Sequence, residues 1–235
     1  MKTAIAIDSL LLRDDSIFLL ELVLTLYPDS EIYTISHQQG GILGTVETKS
    51  IVSSFLTHKA KTLKDLQKSF WIMPSAVKGI PLHSSIENVI VLSRGFIHGL
   101  NIPPHVKRKL YIIEWDLIDE KKVGWKKIFA PYVNDWREKA LRQYPQIAVS
   151  SVALQKRLEL PNAEVIEPTY RTEEYPFVRD EDHNFMFTHE LLYTQDLSVD
   201  EFESIVKFLL SKNEMIRVLG PDAHLESIRK KYPQV

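Results

Sequence analysis

The chain has no cysteine, which excludes disulfides and thiolate metal sites and leaves the compartment open. Its 235 residues include only eight glycines, few for a fold that binds nucleotides through tight backbone loops. No run of about 18 apolar residues occurs, and M-K-T-A-I-A-I-D places Asp8 where a signal peptide would still be apolar. These absences point to a soluble, cytoplasmic protein, at most peripheral at the inner face of a membrane. Charge of one sign is also lacking. With 29 basic and 31 acidic residues the net charge is −2, which offers no global attraction to nucleic acid. The eight histidines are scattered with no i, i+4 pair, so no metal site is expected. What remains is an ordinary globular composition, 44% hydrophobic and 26% charged, with length for one large domain or one domain and part of another.

Along the chain, Thr3 to Ile7 is an apolar run suited to a buried parallel strand closed by Asp8. Phe18, Leu19, Leu22, Val23 and Leu26 then recur at helical spacing until Tyr27-Pro28-Asp29 stops them. Glu31 to Ile35 reads as a second strand, and Ile51, Val52 and Phe55 open a less regular region. Lys61, Lys64 and Lys68 share one helix face. Val89 to Leu92 and Leu110 to Ile113 are continuous apolar strands. A helix with Tyr132, Trp136 and Ala140 precedes the strand Ile147 to Val149, and Val152 to Leu158 reads as a short helix. Strand and helix in alternation predict an α/β fold with a doubly wound parallel sheet.

A boundary falls at Thr169 to His183, a charged stretch that contains Pro176 and lacks periodicity. The expected organisation is a first Rossmann-like domain over 1–170, a linker over 171–183 and a partial second unit over 184–235. In the second unit Phe185 to Phe187 reads as a strand, and the polar loop after it leads into the helical pattern Val199, Phe202, Ile205, Val206, Leu209. A ligand would sit in that loop, at the strand's carboxyl end. A phosphate there calls for Gly, Ser, Lys or Arg, whereas the residues present are His189, Glu190, Gln195 and Asp196. A strand from Ile216 to Leu219, the turn Gly220-Pro221-Asp222 and a helix from Ala223 to about Tyr232 complete the expected unit.

In order and spacing these residues resemble a family 4 glycosyltransferase of the GT-B fold. Members commonly begin M-K-V-A-L-V-H-D-W-L and continue toward L-F-P-D-A-D-I-Y-T-L. This chain reads M-K-T-A-I-A-I-D-S-L and then Leu26-Tyr27-Pro28-Asp29-Ser30-Glu31-Ile32-Tyr33-Thr34-Ile35. Further matches are Met73-Pro74-Ser75-Ala76-Val77, Pro103-Pro104, Tyr132 with Trp136 and Ala140, Ala148-Val149-Ser150-Ser151 and Val165-Ile166-Glu167-Pro168. The resemblance implies a GT-B-like architecture, one complete Rossmann-like domain followed by a partial second one, with no cofactor.

The same comparison bears on catalysis. The family's Gly-Gly-Glu-Lys turn, which lets phosphate or sugar approach a helix N-terminus, is replaced by Asp15-Ser16-Ile17-Phe18. Its diphosphate-neutralising Arg and Lys fall at Glu190 and Gln195, and its H-T-P histidine at Ile113 or Glu114. Gly220 begins a turn similar to the family's G-D-G-P, and the paired donor-binding glutamates are expected beyond residue 235. His189, Glu190, Gln195 and Gly220 are thus remnants of a donor site. The function implied is a degenerate transferase relative, not catalytic alone, that binds a glycan, a lipid-linked acceptor or a protein partner. The alternative is an active retaining transferase using a nucleotide-sugar donor in surface polysaccharide biosynthesis, completed by homodimerisation or a partner subunit.

Several residues carry candidate roles beside plainer ones. Asp8 either orients an acceptor hydroxyl as a base or caps the next turn or helix, the commoner role. Glu114 and Asp116 flank Trp115 and would form an acid/base pair with a sugar-stacking ring, although carboxylates at strand ends are more often solvated. Arg94 and His98, at the family's basic and His positions, either bind an anionic acceptor or are polar loop residues. The lysine face, with Lys107-Arg108-Lys109 and Lys121, Lys122, Lys126 and Lys127, either makes weak contact with an anionic membrane or is simply solvated, the commoner case.

Overall fold

Apolar runs that do not alternate, such as Ala4 to Ile7, suit strands covered on both faces. In the computed structural model they form the centre of a seven-stranded sheet whose pairings are all parallel. The structure describes residues 2–42, 44–115, 128–168, 189–193, 204–205, 207–208 and 215–219. The chain divides into two compact units, Met1–Arg171 and Thr172–Val235.

In the first unit the strands are β1 (Thr3–Leu10), β2 (Glu31–His37), β3 (Ile51–Ser53), β4 (Asn88–Ser93), β5 (Lys107–Ile112), β6 (Ile147–Val149) and β7 (Glu164–Val165). Their spatial order is β3-β2-β1-β4-β5-β6-β7. The helices are α1 (Asp15–Leu26), α2 (Leu63–Lys68), α3 (Met73–Lys78), α4 (Ala130–Leu141) and α5 (Val152–Arg157). This is a Rossmann-like α/β sheet. Alternate residues of each strand feed two cores: Ala4, Ala6, Tyr33, Val89, Val91 and Leu110 pack on one face with residues of α3 and α4. Ile5, Ile7, Ile32 and Leu92 pack on the other with Ile17, Leu20 and Leu24 of α1 and with Ile42 and Val46.

Several elements differ from the sequence expectation. β1 runs on to Leu10, so Asp8 lies inside the strand, because β2 continues beside it to His37. β5 starts at Lys107, which puts Lys107-Arg108-Lys109 in a strand. Thr62 caps α2, so Lys61 precedes the helix and only Lys64 and Lys68 belong to it. Helix α1 buries Ile17, Leu20, Glu21 and Leu24 and leaves Leu22 and Leu26 exposed. It is apolar almost all round, so spacing alone does not choose its face. In α4, Tyr132 is exposed while Val133, Trp136, Arg137 and Ala140 are buried. Helix α3 and strand β7 had no sequence expectation beyond the family resemblance.

In the second unit, β8 (His189–Tyr193) pairs in parallel with β9 (Met215–Leu219), His189 opposite Met215 and Tyr193 opposite Leu219. His189 and Glu190, expected in a loop, are therefore the first residues of a strand. Leu191-Leu192-Tyr193 is as good a strand former as Phe185 to Phe187, and a short apolar run cannot be placed by periodicity. Phe185 to Phe187, Gln195, Asp196, Gly220 to Asp222 and the expected helix from Ala223 lie outside the described residues.

Candidate functional site

The chain runs outward from β1 through β2 to β3, then crosses back to place β4 on the other side of β1. In an open α/β sheet that reversal creates a crevice at the strands' carboxyl ends, where ligands sit. Asp8 lies there, fully buried. Its Oδ1 accepts from the backbone N–H groups of Phe96 and Ile97, both at 3.0 Å, and Oδ2 accepts from that of Arg94 at 2.5 Å. Burial pushes the carboxyl above its ordinary value, opposed by the amides of Arg94, Ile97 and Phe96 and by the Arg94 charge. Asp8 therefore anchors the turn after the neighbouring strand. Its side chain has no face exposed to an acceptor hydroxyl.

Arg94 is held as firmly. Its Nη1 donates to Asp14 Oδ2 at 2.6 Å, and Nη2 and Nε donate to Glu114 Oε2 at 2.7 and 3.0 Å. Burial works against its charge, but Asp14 and Glu114 outweigh burial and raise its pKa. An anionic acceptor would have to displace two carboxylates. Asp14 also caps α1 by accepting from the N–H of Ser16, so this helix N-terminus already has its negative charge.

His98 is fully buried, and burial pushes its pKa down to about 3. The Arg137 carbonyl, 3.0 Å from Nε2, can only accept, so Nε2 carries the hydrogen. Nδ1 then accepts from the Ser93 hydroxyl at 3.0 Å, whose oxygen accepts from the N–H of Gly95. His98 is a neutral internal link, not a loop residue facing a ligand. Its ring stacks on Trp115, with centroids 5.2 Å apart.

Arg137 is the residue the sequence reading missed. Its Nε donates to the Gly95 carbonyl at 2.7 Å and Nη2 to the Trp115 carbonyl at 2.8 Å. Its guanidinium lies 4.1 Å from the Trp115 ring centroid and 5.0 Å from that of Phe96. Carbonyls and aromatic faces thus receive a charge buried among apolar groups. The signal was present in the spacing, because Ala130, Val133 and Arg137 follow i, i+3, i+7 on α4. Gly95, at φ 129°, gives the arginine its room, since a Cβ there would collide with the guanidinium.

Beside this cluster lies a cleft of about 640 Å³, lined by Leu19, Ile113, Trp115, Leu154 and Pro168 and by the polar residues Asp15, Glu114, Ser150, Ser151, Arg157 and Glu167. Since Trp115 packs on His98 and Arg137, at least one ring face is committed within the protein, and the residue serves the cleft as a wall. Among the described residues that line the cleft, Asp15, Glu114 and Glu167 stand against Arg157, and Glu114 is also held by Arg94. Asp116, Lys121, Lys122, Lys126 and Lys127 lie outside the described residues, as do Gln195 and Gly220. Of His189 and Glu190 the structure gives the strand position alone. Among the described residues no group of three or more His, Cys, Asp or Glu is placed to hold a metal ion, and no helix is long and apolar enough to cross a membrane.

Comparison with models of known protein families and with curated proteins gives no match for this chain.

Proposed function

We propose that this chain is a glycosyltransferase-like protein of GT-B ancestry, without catalysis of its own, that binds a neutral glycan in the cleft at the carboxyl ends of β5 and β6. The observation that carries the reading is the excess of carboxylates among the described residues lining the cleft, Asp15, Glu114 and Glu167 against the single guanidinium of Arg157. Like charges about 4 Å apart repel by about 1 kcal/mol in water and about 4 kcal/mol at an effective dielectric of 20. A nucleotide diphosphate meets that repulsion, whereas sugar hydroxyls donate to carboxylates and sugar rings cover apolar walls. The occupied state of Asp8 and the clamping of Glu114 by Arg94 support the loss of acid/base chemistry.

A second reading, an active transferase completed by a second copy or a partner, draws on the β8–β9 pair. Among the described residues those strands pair only with each other, and an open parallel edge accepts another chain. Calorimetry with UDP-, GDP-, ADP- and dTDP-sugars and with neutral oligosaccharides separates the two. The first reading expects heat only from oligosaccharides. Turnover of a sugar nucleotide by the protein as isolated would favour the second.

A further inference from the structure

At the opposite end of the sheet, the loops entering β5 and β6 border an open pocket of about 500 Å³, a volume within the range of small-molecule sites. Its charged lining is all of one kind: Lys107, Arg108 and Arg142, with His105 beside them and no Asp or Glu among the lining residues. None of the three cations forms an ion pair among the described residues. Elsewhere in the unit Arg13 pairs with Glu21, Arg94 pairs with Asp14 and Glu114, and Arg137 is held by carbonyls and aromatic rings. Arg108 and Arg142, brought to one pocket with no carboxylate in its lining, leave a repulsion that an anion would relieve.

We infer that this pocket is a binding site for a phosphate-bearing anion. The two guanidinium groups supply planar forks that match phosphate oxygens, while Lys107, the strand neighbour of Arg108, points to the other face of the sheet. Arg108 projects from β5 to the face whose core includes Leu110 and Ile112, and Arg142 follows the last turn of α4. The two cations thus approach from different elements. Tyr144 forms a fixed wall, since its hydroxyl donates to the His98 carbonyl at 2.7 Å and the residue is buried. The bound group is a phosphomonoester or diphosphate, either a free metabolite or the headgroup of an anionic lipid. The site stands apart from the glycan cleft and does not depend on that reading.

The test uses the whole chain and the variant R108A/R142A, whose fold is checked by its circular dichroism and melting temperature. Inorganic pyrophosphate is titrated calorimetrically at low and high salt, and co-sedimentation is measured with phosphatidylglycerol and phosphatidylcholine vesicles. A charge-assisted hydrogen bond to phosphate is worth enough that each lost arginine weakens binding by about tenfold or more, and added salt weakens it further. Pyrophosphate binding that the variant loses supports a soluble ligand. Binding to phosphatidylglycerol vesicles alone, lost in the variant, supports a lipid headgroup. Failure to bind either probe, or binding unchanged in a folded variant, would overturn the inference. If R108A/R142A fails to fold, the charge-preserving R108K/R142K replaces it, with retained salt dependence but weakened pyrophosphate binding as the supporting result and unchanged affinity as the overturning one.

Discussion

Gly95 and His98 show how much of the crevice is internal architecture. At Gly95 the backbone takes φ 129° and the missing Cβ makes room for the Arg137 guanidinium. Adding a methyl group therefore combines backbone strain with a steric collision, and Gly95→Ala should lower stability by about 2 kcal/mol or more, read as a fall in the urea midpoint. An unchanged midpoint would mean that Arg137 does not occupy this position. His98 makes a pH prediction. Its folded-state pKa of about 3 lies below the ordinary 6.5, so below that ordinary value the unfolded chain takes up a proton that the folded chain refuses. Stability is then full above the unfolded pKa and falls as pH drops toward the folded one. Between about pH 7 and about pH 5 this amounts to about 2 kcal/mol. His98→Gln, which removes the titration, should show a loss smaller by that amount in urea unfolding at the two pH values, and equal losses would contradict the burial.

At the scale of elements, α1 depends on one residue at its start. Asp14 accepts from the N–H of Ser16 and pairs with Arg94. Its replacement by alanine removes a cap worth about 1 kcal/mol and a partly exposed ion pair worth less. Asp14→Ala should therefore lower stability by about 1–2 kcal/mol in thermal unfolding, and no loss would mean that the cap is not made in solution. The central strands were legible in the sequence because apolar runs on both sides of β1 have no other stable use. The face of α1 was not, since an almost wholly apolar helix leaves the choice to tertiary packing. β5 begins three residues before its apolar run because Lys107-Arg108-Lys109 pair through the backbone regardless of side-chain charge. In the crevice, the sequence located Asp8, Arg94, His98, Glu114 and Trp115 but could not show that most of them bind one another. That depends on a turn between β4 and β5 meeting α4, contacts far apart in the chain. Arg137 escaped because a charged residue at a buried helical position looks solvated until its carbonyl and ring partners are in place.

Within the first unit, charge is spread unevenly between the two ends of the sheet. Carboxylates line the cleft at the carboxyl ends of the strands, and cations with no ion-pair partner among the described residues line the pocket at the amino end of β5. This separation makes the central claim testable by a single calorimetric comparison. Ala153, exposed on α5 and lining the cleft, can be enlarged without disturbing the core. Wild type and Ala153→Trp are titrated with a panel of neutral oligosaccharides and with UDP-, GDP-, ADP- and dTDP-sugars. The account predicts oligosaccharide binding by wild type, at least a tenfold loss in Ala153→Trp, corresponding to about 1.4 kcal/mol, and neither binding nor turnover of any sugar nucleotide. Turnover of a sugar nucleotide by wild type, or oligosaccharide binding that Ala153→Trp leaves intact, would contradict it.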